Sequence, residues 1–260
     1  MQDAWPHVSA LLATLWGPDW LFPALTVFTG YVVLGLTGFG SALVIVPVLA
    51  WQWPLPHVVA LTLLLDLPAC LLHGGLNLQE VKWDEVRPMW PGMIVGSGLG
   101  LWLMQNLSPR WPLLLLGLYV VAIGLRQIFS KPSTHKHISG RYAFWAGGAA
   151  GVVEMMFGAA GPVMVTWLQW RLPNVMQLRA TAPVLIVCSV CIVLLGMAFA
   201  GLLSDALLWQ HWLGLIGVAL VGIVCGDRLA RFVRSAWLSR FVAVLLSFSG
   251  LSLLRNFLVA

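Results

Sequence analysis

Charge is scarce in this sequence. Of its 260 residues, 14 are Lys or Arg and 9 are Asp or Glu, a charged share of 9%, where a soluble domain carries about 25%. That excludes a fold whose whole surface must be wetted, and a hydrophobic content of 60% points to lipid. Cysteine is also sparse: Cys70, Cys188, Cys191 and Cys225 all fall within apolar runs, without the histidines or second cysteine pair that a zinc site needs. Cys188 and Cys191, three residues apart, read as small packing residues on a helix. No metal and no cofactor is expected. Long polar stretches are missing too. The longest runs from Arg126 to Arg141, a linker rich in Lys, His, Ser and Pro, and leaves no soluble domain to house an enzyme. Enzyme chemistry would need a clustered nucleophile, base or ligand set, and His7, His57, His73, His135, His137 and His211 are scattered through loops and span ends.

Apolar runs suited to a hydrocarbon core of about 30 Å recur at residues 21–50, 57–73, 88–107, 111–125, 142–170, 180–203, 208–226 and 237–254. The first follows Gln2, Asp3 and His7 with no basic region before it, so it is expected to stay in the mature chain rather than act as a cleaved signal. The net charge of +5 sits in short loops beside the spans, where membrane topology explains it and nucleic-acid binding does not. The expected partners are the lipid bilayer and a small ligand, and nothing in the composition sets an oligomeric state.

The chain repeats itself. A shift of 126 places Val95, Gly96, Gly100, Leu103, Trp111, Gly124 and Leu125 on Val221, Gly222, Gly226, Leu229, Trp237, Gly250 and Leu251. A shift of 117 places Gln52, Trp53, Leu55 and Pro56 on Gln169, Trp170, Leu172 and Pro173. Two related halves follow, residues 1–130 and 142–260, joined by a basic linker at 131–141. Each half opens on a long apolar segment interrupted by small residues, first at Gly38-Phe39-Gly40-Ser41-Ala42 and then at Gly158-Ala159-Ala160-Gly161-Pro162. Proline suits the first turn of a helix, where its missing amide proton would be unpaired anyway, so Pro162 predicts a new helix start. Both segments read as broken helices.

Charge then discriminates between two topologies. If each broken segment crosses once, the halves are parallel and the 14 basic residues divide evenly between the two sides. If each instead enters and leaves on one side, the halves are inverted. Loops with Arg171, Arg179, Arg228, Arg231, Arg234 and Arg240 then join Lys82, Arg87, Arg126, Lys131, Lys136 and Arg141 inside, leaving Arg110 and Arg255 outside. The excess of basic residues in cytoplasmic loops favours the second. The expected fold is therefore an all-α polytopic membrane protein of two inverted repeats, each a broken or re-entrant helical hairpin followed by three transmembrane helices.

Gly38-Phe39-Gly40-Ser41 followed by Val46-Pro47, Phe157-Gly158-Ala159-Ala160-Gly161-Pro162, and the segments Val58 to Thr62 and Val175 to Thr181 carry a resemblance. In them, and over nearly the whole length from Ala24 to Leu254, the chain resembles the sulfite exporter TauE/SafE family of bacterial transporters, also called the 4-toluenesulfonate uptake permease family. Ser41, Ala42, Ala159 and Ala160 stand where that family more often carries glycine. The resemblance implies movement of small sulfur-containing or carboxylated anions, such as sulfite or organosulfonates, across the bacterial inner membrane.

The residues point the same way. The start of a helix presents unpaired amides equivalent to roughly half a positive charge, and two such ends meeting near the midplane would attract an anion. The expected substrate-binding residues are Gly38, Phe39, Gly40 and Ser41 at the first break, Gly158, Ala159, Ala160 and Gly161 at the second, with Thr62, Arg179 and Thr181 as further donors. Gly96, Gly100, Gly222 and Gly226 read instead as helix-packing positions. Asp66 and Glu154 stand within apolar runs, where an ionised carboxylate costs about 2.5 to 3.5 kcal/mol on insertion scales. They are either hydrogen-bonded braces or proton carriers for coupled transport, with Glu154 first by its closeness to a break. Trp51, Trp53, Trp167 and Trp170 read as interfacial anchors. A secondary transporter is the expected function; an anion channel is the alternative, since two helix ends aimed at an anion would serve conduction as well.

Overall fold

In a computed structural model the described residues are 18–74, 79–108, 110–129, 139–172 and 174–230, and they contain helices and no strand. In chain order the helices are α1 (Pro18–Thr37), α2 (Ser41–Leu49), α3 (Leu55–Gly74), α4 (Trp83–Val86), α5 (Met89–Asn106), α6 (Arg110–Phe129), α7 (Ala143–Phe157), α8 (Gly161–Arg171), α9 (Val175–Phe199) and α10 (Ala206–Ala230). Trp20–Thr37, Leu55–Leu72, Met176–Phe199 and Ala206–Ala230 are long and apolar enough to cross a bilayer, and Arg110–Leu125 is a shorter apolar helix. Most of the 131–141 linker and all of the last apolar run at 237–254 lie outside the described residues.

Both long segments are broken where the small residues stand. Gly38 and Gly40 take φ values of 82° and 99°, a region in which a Cβ is crowded by its own backbone. The chain therefore turns there before α2 begins at Ser41. The Thr37 hydroxyl bonds the Phe39 carbonyl across the turn. In the second segment α7 ends on Gly158, also left-handed at φ 64°, and α8 starts with Pro162 in its first turn. At 9 and 11 residues, α2 and α8 extend only about 13 and 16 Å at 1.5 Å per residue, roughly half of a hydrocarbon core.

The segments fold back on themselves. A Cβ on Gly30, in the middle of α1, would stand 2.8 Å from Ile45 Cδ1 of α2 and 3.1 Å from the Ser41 carbonyl oxygen. Trp20 at the start of α1 and Trp53 just after α2 both contact the His211 ring, with centroid separations of 5.3 and 4.2 Å. In the second segment the Arg171 guanidinium at the end of α8 comes within 3.6 Å of where a Cβ on Gly140 would be. Each segment thus begins and ends at the same place.

Glycine sets the packing of the long helices. Gly222 lies against Phe28 and Tyr31, and Gly226 against Val32 and Gly35, so α1 and α10 run side by side in the same direction. Gly96 lies against Gly148, and Gly100 against Val152 and Met155, which does the same for α5 and α7. Such small-residue contacts let helix backbones approach where apolar burial supplies no drive, because lipid is as apolar as leucine. The first helix of each half is thereby held against a helix of the other half. Trp167 is buried at 4% exposure, so it is not the interfacial anchor that sequence position suggested, while Trp51 is exposed and Trp53 stacks on His211.

Candidate functional site

The two breaks meet in the centre of the bundle. A Cβ on Gly161 would stand 3.0 Å from Phe39 Cβ, and one on Gly158 would stand 3.7 Å from Ala42 Cβ. Between them is a small cavity of about 20 Å³, lined by residues of both breaks together with Leu34, Asp66, Cys70, Glu154, Pro162 and Ile186. That volume holds about one water and is too small for an oxyanion, so the breaks are closed on each other. Gly38, Phe39, Gly40 and Ser41, Gly158, Ala159, Ala160 and Gly161 are all in this region, as are both carboxylates.

The carboxylates are held differently. Asp66, on α3 and 5% exposed, accepts on one oxygen from the Ser41 hydroxyl and the Tyr31 hydroxyl, each at 2.8 Å. Ser41 is the first residue of α2, so α3 is tied to the first break through a side chain. Glu154, on α7 and 3% exposed, accepts from the Ala160 backbone N–H at 2.6 Å. Ala160 is the N-cap of α8, so a carboxylate oxygen occupies the amide end of that helix. Tyr119 of α6 donates to the Ala159 carbonyl at 2.7 Å and fixes the turn from outside. Among the described residues that line the cavity there is no Lys, Arg or His.

Two expected donors, Thr62 and Thr181, are engaged elsewhere, and Arg179 is placed by its backbone alone. Thr62 is buried one turn before Asp66, but its hydroxyl donates back to the Val58 carbonyl at 2.8 Å. Thr181 is buried where its hydroxyl accepts from the Lys82 N–H at 3.1 Å. Arg179 lies two residues before Thr181 in the same early turns of α9, whereas the cavity is lined by Ile186, about two turns further along.

Three features at and around the site escaped sequence reading. Tyr31 and Tyr119 supply hydroxyls to the breaks, and nothing in an isolated tyrosine within an apolar run marks it as facing inward. His57 and His211, read as scattered, lie together with His57 Nε2 2.9 Å from His211 Nδ1, and Asp205 stands 3.6 Å from His57 Nδ1. Arg171 makes a forked ion pair with Glu85, with its Nη2 2.6 Å and its Nε 3.0 Å from the carboxylate. Among the described residues no group of three or more His, Cys, Asp or Glu is arranged to hold a metal ion.

Apolar helices that enclose polar groups between two broken segments have the architecture of a membrane transport protein, in which irregular backbone is tolerated where it lines a cavity. The family model described as Sulfite exporter TauE/SafE matches residues 22–253, and the chain belongs to that family. It is also similar to a protein from Comamonas testosteroni described as a probable inner membrane transporter protein TsaS, with 41% identity over 196 residues, 75% of this chain and 82% of that one. No solved structure matches. The protein is therefore an integral membrane transporter, not an enzyme.

Proposed function

We propose that this protein is a secondary transporter of small anions in the bacterial inner membrane, carrying sulfite, an organosulfonate or a related sulfur-containing or carboxylated anion bound between the two helix breaks. The family and the relative's name support the transporter class, and the family's description as a sulfite exporter supports the substrate class. The observation that carries the site is the 2.6 Å bond from the Ala160 N–H to the Glu154 carboxylate. A helix start that holds an anionic oxygen from its own chain has the geometry and the charge to hold one from a substrate. The start of α2, facing it, has no capping side chain.

Glu154 then competes with the anion for the same helix end. With two carboxylates on one cavity and no cation among its described lining residues, a proton on Glu154 removes a like charge and loosens its hold on α8. Anion and proton would enter together. Asp66, satisfied by two hydroxyls, is the second candidate for the proton. The Glu154→Gln variant in proteoliposomes tests this: binding should persist while its pH dependence and the coupling of uptake to a proton gradient are lost. Coupling that survives in both Glu154→Gln and Asp66→Asn contradicts proton carriage by these groups.

The same reading takes the halves as inverted repeats over 1–130 and 142–260. Two clusters support it. Trp20, Trp53, His57, Asp205 and His211 gather where the first broken segment begins and ends, and Lys82, Glu85, Gly140, Arg171 and Thr181 gather where the second does. Helix α3 starts at the first cluster and leads toward the second, and α9 starts at the second and leads back. The broken segments would then be re-entrant from opposite faces. Lys82, Arg87, Arg141 and Arg171 lie at the second cluster's end, which is thereby cytoplasmic. A cysteine placed at Val175 should be labelled from the cytoplasm; labelling from outside alone would contradict the inverted arrangement.

A further inference from the structure

We infer that the two clusters are the gates of the transport path, with the Glu85–Arg171 ion pair closing one face and the His57–His211 contact closing the other. The Glu85–Arg171 gate joins the end of α8 to the loop before α5, and the histidine gate joins α3 to α10 with Trp53, from the exit of the first broken segment, stacked on it. Arg171 is the last residue of α8, and its partner Glu85 belongs to the short helix α4 before α5; the Lys82 N–H bond to the Thr181 hydroxyl ties the same loop to α9. At the other end His57 opens α3 and His211 opens α10, with Asp205 beside His57 and Trp53, which follows α2, stacked on His211.

Both gates are shut in this structure, which matches a central cavity of only about 20 Å³. On the other side of the histidine contact, His211 and Trp53 also form walls of a larger cavity of about 340 Å³ with Trp20, Pro23 and Gln52. Opening the Arg171 gate frees the end of α8, and parting the histidines loosens the stacking that holds Trp53 at the exit of α2, so each short half-helix is released from its own face, which is what alternating access requires. Glu85, Arg171, His57 and His211 are positioning residues in this scheme, since none lines the central cavity.

Cys70 lines that cavity and is buried, so it reports access without an added probe site. The experiment uses the full chain with Cys188→Ser, Cys191→Ser and Cys225→Ser in sealed vesicles of either orientation, treated with a membrane-impermeant thiosulfonate and no anion. Cys70 should be protected from both faces. Glu85→Gln should expose it to the reagent from the Arg171 face alone, and His57→Leu from the His211 face alone. Each rate should rise about tenfold, the response to a tenfold larger open population. The charge exchange Glu85→Arg with Arg171→Glu should restore protection, which general damage to the fold would not. Unchanged protection in both single variants overturns the gates. Labelling of both variants from one face overturns the two-faced arrangement on which the gates rest. Because no anion is present, neither result bears on whether the breaks bind one.

Discussion

The two helix breaks share a design and differ in what they hold. At the first, α2 begins on a glycine in a left-handed conformation and has no capping side chain, and the nearby carboxylate, Asp66, is satisfied by the hydroxyls of Tyr31 and Ser41. At the second, the carboxylate of Glu154 accepts directly from the amide at the start of α8. One break has no side-chain cap on its helix end and the other fills it from within the chain; in the proposed function the first is the end that takes the ligand. A transporter that must release its cargo gains from such an internal competitor, because the empty site is then not left with two unpaired amide ends buried in an apolar bundle.

The largest effects should come from bulk at the breaks, and they should be unequal. Gly40→Val forces a β-branched residue to φ near 99°, a strain of order 1 to 3 kcal/mol at the helix end itself, and uptake in proteoliposomes should be abolished. Gly161→Val should also abolish it. The smaller Gly161→Ala meets Phe39 Cβ at 3.0 Å in ordinary helical backbone, so it should keep partial activity where Gly40→Ala does not. Normal transport by both valine variants would remove the helix ends from the site.

A smaller contrast separates the carboxylates. Asn at position 66 keeps an oxygen that can accept from Tyr31 and Ser41, so Asp66→Asn should retain fold and transport. Gln at position 154 lacks the charge that competes for α8, so Glu154→Gln should flatten the pH profile of anion uptake. If the profile flattens with Asp66→Asn and not with Glu154→Gln, the roles assigned to the two breaks are exchanged.

The hydroxyls should give the smallest differences. Tyr31→Phe strips one of two donors from a buried carboxylate and should cost about 1 to 3 kcal/mol of stability. Tyr119→Phe takes a donor from a neutral backbone carbonyl rather than from a carboxylate and should cost about 0.5 to 1.5 kcal/mol for that bond. Thermal unfolding in detergent would rank the two, and an equal or reversed order would deny that Asp66 depends on Tyr31.

Sequence reading reached the breaks because they depend on local chemistry. Glycine inside an apolar run and Pro162 after a small-residue cluster each constrain the backbone within a few residues, and the membrane class follows from charge scarcity alone. It missed what depends on distant pairing. His57 and His211 are 154 positions apart and Glu85 and Arg171 are 86 apart, so neither pair has a local signature. Thr181 was drawn to the site by its place in a motif, yet it begins a helix that reaches the breaks only near Ile186. Tyr31 hides for another reason: in an apolar helix its inward direction is set by the packing of α1 on α10, which only the assembled bundle defines.

The most direct test of an anion held between two helix breaks and released with a proton is uptake of sulfite or a simple organosulfonate by proteoliposomes containing the purified protein. The external anion concentration would be varied with and without an imposed proton gradient. The account predicts saturable uptake that a proton gradient drives above equilibrium in the native protein but not in Glu154→Gln. Flux that rises in proportion to concentration and ignores the gradient would contradict it, and would make the protein an anion-conducting pore.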